Sequence, residues 1–163
     1  MLAAACLLAG VYGVLHNQIS YSVGPDYFHA FKFRQFRVPI DLHGRMGAAL
    51  VGLRASWWMG LVIGGPLAVL SLFHPAPQAA RRAFAYIAIG IVVLTLAVGL
   101  ASLAIGVPDR FRAMVWVPGQ VENAQGFMRA AWMHEITYGA SLLSLFIGLI
   151  MMIWMVIRAR RAR

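Results

Sequence analysis

The run at positions 44–73, GRMGAALVGLRASWWMGLVIGGPLAVLSLF, constrains this chain more than any other stretch. It is apolar enough for a bilayer, and small residues recur at every fourth position: Gly44, Ala48, Gly52, Ser56, Gly60, Gly64 and Ala68. In lipid, two helices gain no hydrophobic free energy by touching, so small residues that let backbones approach mark a packing face. Such a face is useful only beside another helix. The run therefore predicts a bundle of spanning helices. Past Arg45 at its start it also holds one cation part-way along, Arg54, and a charge in such a segment needs a partner, water or the headgroup layer.

The rest of the sequence supplies the other helices. Of 163 residues, 61% are apolar and 12% charged, with mean hydropathy +0.75. Soluble domains carry about a quarter charged residues, so this is a membrane composition. The expected fold is all-α: one domain over 1–163, an integral membrane four-helix bundle with spans at 1–16, 46–73, 83–106 and 130–157. The first stretch is short and has no basic residues ahead of its apolar run, so it reads as a span rather than a signal peptide. Pro66 is expected to kink the second span. Trp132 and Trp154 lie about 33 Å apart along a helix, the separation of two interfacial belts. Ala140, Ser144 and Gly148 repeat the four-residue spacing and are the expected partners of Gly52, Ser56, Gly60 and Gly64. The single cysteine, Cys6, forms no intrachain disulfide and reads as a small packing residue.

Between the first two spans, Pro25 to Arg37 interleaves aromatic residues with cations. Pro25 and Asp26 suit a helix start, and the composition fits an amphipathic segment lying in the headgroup layer. The net charge of +9 does not indicate nucleic acid, because the basic residues sit in loops and at the C-terminus, where anionic lipid explains them. Arg81, Arg82, Arg158, Arg160, Arg161 and Arg163 share one side of a four-span topology. Their density on a short turn and a short tail predicts that side, with both termini, to be cytoplasmic.

Polar residues gather toward the other side. Arg54 and Glu135 are the expected ion pair, with a headgroup-level anchor as the alternative for Arg54, since Trp57 and Trp58 follow it. His16 and His134, on different helices, suggest two ligands for a b-type haem. With Glu135, and with His29 or His43, they suggest instead zinc or copper, and Met46, Met128 and Met133 add thioethers on that side. No nucleophile elbow, carboxylate pair or phosphate loop is present, so catalysis is not expected.

The strings HNQISYSVGPDYFHAFKFRQF, GAALVGLRASWWMGLVIG and MHEITYGASL resemble an uncharacterised family of small four-span bacterial membrane proteins. That resemblance implies a multi-pass protein of the bacterial inner membrane and supplies no activity, ligand or site. The leading expectation is a non-enzymatic accessory or structural subunit that packs into a homo-oligomer or a larger membrane complex. A haem- or metal-binding protein and a small transporter or channel subunit are the alternatives.

Overall fold

The computed structural model describes residues 1–162, so Arg163 lies outside the described residues. Four helices are long and apolar enough to cross a membrane: Leu2–Val23, Arg45–Ser71, Pro77–Ile105 and Ala124–Arg161. No strand occurs among the described residues, and the chain is an all-α bundle. The first span packs most closely on the second, and the third on the fourth, so two helical hairpins face one another.

Three helix boundaries extend beyond expectation. The first span continues through His16, Asn17 and Ser20 to Val23, because these polar residues are buried against other helices rather than marking an exit to water. It stops at Gly24, which lies against the backbone of Gly126 where no side chain would fit. The third span starts at Pro77, a favoured first helical residue, and ends at Gly106 with φ +85°. The fourth starts after Asn123, whose side chain accepts a bond from the Gly126 amide.

The second span breaks not at Pro66 but at Trp57–Trp58. There the backbone bonds tighten to a three-residue spacing, Gly60 N to Trp57 O at 3.1 Å and Leu61 N to Trp58 O at 2.9 Å. On both sides of this break the small ladder stays against the first span. A Cβ on Gly52 would strike the backbone of Gly13, and one on Gly60 the backbone of Cys6. This corrects the expected partner. The ladder of Gly52, Ser56, Gly60 and Gly64 packs on Ala5, Cys6 and Gly13 of the first span. Gly148 instead receives Ile87 and Ile91 of the third span, and Ser144 closes its hydroxyl onto Ala140 O at 2.7 Å. The signal was right about close approach, but small residues on three helices left the pairing open.

The segment after Gly24 is helical from Pro25 to Gln35, with a π-helical turn at Phe28–Lys32. It is amphipathic, with Phe31 and Arg34 exposed, but its other face is turned into the bundle. Tyr27, Phe28, Lys32 and Phe33 are all buried, and Asp26 accepts a bond from the Asn123 amide at 2.7 Å. The segment therefore caps one end of the bundle, here termed the loop end. At the opposite, terminal end, Leu67, Phe84, Ile87, Leu145 and Met152 form a purely apolar cluster.

Candidate functional site

The interface between the two hairpins holds a cavity of about 100 Å³ toward the loop end. His16 contributes from the first span and His134 from the fourth, roughly 10 Å and 15 Å from the loop-end termini of their helices at 1.5 Å per residue. Their rings meet edge to face, with centroids 4.6 Å apart. Asn17 ties three spans together. Its Nδ2 donates to Ala48 O at 3.0 Å, while its Oδ1 lies 3.2 Å from His134 Nε2. His134 Nδ1 lies 2.9 Å from Ala130 O, so each nitrogen of this ring has an acceptor beside it and the neutral ring donates to one of the two.

His16 differs. Its Nδ1 has only the Tyr12 hydroxyl at 3.4 Å, and its Nε2 is buried without a partner. Either tautomer leaves that atom with an unmet bond. From the opposite hairpin, Thr95 brings a second buried and unpartnered atom, its Oγ1, to the same cavity. Gly99 lets this wall close: a Cβ there would meet Thr137, with His16 just beyond.

Lys32, on the π-helical turn, reaches the cavity from the loop end. Its ammonium donates to Gln35 Oε1 at 3.1 Å and lies 4.9 Å from the Phe31 ring and 5.5 Å from that of Tyr27. Burial disfavours the charged form and pulls its pKa down from 10.5 to about 8. Burial likewise raises the Tyr27 phenol and, with His43 beside it, lowers His29. A π-turn inside a helix is uncommon and often sits at a working site.

Several expected residues are not brought together. Arg54 is exposed and donates to Phe36 O at 3.1 Å, and among the described residues the one salt bridge is Arg112–Asp109. The Arg54–Glu135 pair therefore does not form. Arg54 lies close in sequence to the exposed Trp57 and Trp58, and its hydrogen-bond partner is Phe36 O.

Glu135 is also exposed, and it lines a different cavity with Arg34 and Tyr27. It does not join His16 and His134 as a metal ligand. No group of three or more His, Cys, Asp or Glu side chains among the described residues has metal-holding geometry. Two rings in edge contact at 4.6 Å leave no gap for a haem plane between them. What the pair offers is one free imidazole nitrogen, on His16.

The sequence reading missed Asn17, Tyr12, Lys32 and Thr95. Lys32 was hidden among three cations of one loop, with Arg34 and Arg37. Thr95 did carry a signal, as the one threonine of an uncharged span.

No protein-family model matches the chain, and neither a curated protein nor a solved structure is detectably similar to it.

Proposed function

We propose that this protein is a non-enzymatic, multi-pass membrane protein that holds a small ligand in the cavity between its hairpins. The observation that carries the reading is the pair of unpartnered atoms, His16 Nε2 and Thr95 Oγ1, lining one cavity from opposite hairpins. In hydrocarbon surroundings each unmet polar group costs several kcal/mol. The cavity has room for several waters or for the polar end of one molecule.

Binding is favoured over catalysis because the lining has neither a carboxylate pair nor a thiol nucleophile. It is favoured over passage through a single protomer because the apolar cluster of Leu67 and Met152 lies across the terminal end. Native mass spectrometry tests the reading. The wild type released from mild detergent should retain one non-protein mass, and the double variant His16→Phe, Thr95→Val should lose it while keeping its helical circular dichroism. An empty wild type whose stability rises in the double variant would count against it.

A second reading, an accessory subunit of a homo-oligomer or larger complex, draws on Gly65, Gly90 and Gly139. An added Cβ at any of them would meet nothing within the protomer, leaving room for another helix. It expects a multimer in mild detergent that Gly90→Leu disperses, and a wild type that stays monomeric and alone would remove it. The expected location is a bacterial inner membrane with both termini cytoplasmic, supported by the clustered Arg81, Arg82, Arg158, Arg160 and Arg161.

A further inference from the structure

The ligand of this cavity must satisfy four features of its walls. First, Lys32 is buried and has no carboxylate within salt-bridge reach among the described residues. Gln35 takes one of the three ammonium donors. Asp26 accepts from the Asn123 amide, and Glu135 is exposed and forms no salt bridge with Lys32. A buried cation is stabilised by an anion that brings its own acceptors.

Second, the polar space adjoins an apolar one. A crevice of about 40 Å³ shares Met59, Ile63, Ile91 and Val92 with the cavity and runs on to Leu67 and Ala88. Polar groups stand at one end of this slot and only hydrocarbon at the other.

Third, the lining residues that keep some exposure, such as Met59, Val92, Tyr138 and Ser141, all lie within spans, whereas Lys32 toward the loop end is buried. Access is therefore from the lipid side. Fourth, the walls leave two polar atoms unmet, His16 Nε2 and Thr95 Oγ1, a number that matches the two oxygens of one carboxylate.

Resting on the ligand-cavity reading, we propose that the ligand is a single-chain membrane amphiphile with a carboxylate head, a free fatty acid. The carboxylate would lie among Lys32, His16 and Thr95, with the first methylenes of the acyl chain in the crevice between the first, second and third spans and the rest of the chain in the bilayer. Lys32 supplies the charge, while His16 Nε2 and the Thr95 hydroxyl supply the two bonds that are otherwise unmet.

Photolabelling of the full-length protein in maltoside micelles with a diazirine analogue of palmitate tests this. Saturable labelling is expected on the peptides around Met59–Ile63 and Ile91–Thr95. Palmitate should compete at least about tenfold better than palmityl alcohol, the factor expected for one charge-assisted bond. Lys32→Gln should remove that preference and leave competition by the alcohol unchanged. Equal competition by acid and alcohol in the wild type would overturn the carboxylate assignment and leave the cavity reading standing. Absence of saturable labelling alongside a retained mass of another kind would do the same. Absence of labelling together with an empty wild type in native mass spectrometry would overturn both.

Discussion

The two ends of this bundle are built from the same four helices by different means. At the terminal end, the helices close on aliphatic side chains around Leu67 and Met152, both fully buried. Toward the loop end, aromatic residues of the Pro25–Gln35 segment form the cap, and polar side chains bridge the spans across a cavity. The first kind of contact seals and the second leaves room. Apolar packing in lipid can be completed by shape alone, whereas a buried polar wall is complete only when every donor and acceptor has a partner. Asn17 bonds across the spans, but His16 Nε2 and Thr95 Oγ1 have no partner.

The largest expected effect lies where the hairpin halves touch at backbone distance. Gly60→Leu would drive a side chain into the backbone of Cys6, and we expect a destabilisation above about 4 kcal/mol, read as loss of folded protein after detergent extraction. Next comes the sealed end, where Leu67→Ala should cost about 2–4 kcal/mol in reversible unfolding, since the rigid cluster cannot collapse into the space.

The loop end should respond to pH instead. Folding lowers the Lys32 pKa from 10.5 to about 8, so the unfolded chain binds more protons between these values. Stability should therefore rise from about pH 8 to 10.5, by on the order of 3 kcal/mol, and Lys32→Met should flatten that rise. A pH-independent wild type in this window would remove Lys32 from the buried site.

Smaller still, Thr95→Val should raise ligand-free stability by about 1–2 kcal/mol, because it deletes an unmet hydroxyl. At the bottom of the scale, Arg54→Ala should cost below about 0.5 kcal/mol, since it loses one exposed bond to Phe36 O. A large loss there would restore a structural role that the geometry does not give it.

The sequence carried the architecture because span formation is a one-dimensional property: length and apolarity decide it, and all four helices follow from them. It carried the two histidines of the site for a related reason, since any ionisable group in a span draws attention. Pairing is a three-dimensional property. The ladder from Gly52 to Gly64 announced a close neighbour without saying which helix would bring Gly13 and Cys6 to it. Glu135 and Arg54 were matched on charge, and their helical faces sent them to different surroundings. Lys32 was illegible for the opposite reason: aromatic and basic residues at this spacing fit a headgroup-layer helix as well as they fit a plug turned inward. Only the packing of Phe28 and Phe33 under the bundle decides between them.

The central claim is that His16 and Thr95 face an occupied, polar space between the hairpins. A density map of the full-length protein in lipid nanodiscs tests it most directly. We predict a continuous non-protein feature in contact with His16 Nε2 and Thr95 Oγ1, extending toward Lys32 at one end and into the crevice by Ile63 at the other. A dry gap, or spans drawn together so that the two atoms bond each other, would contradict it.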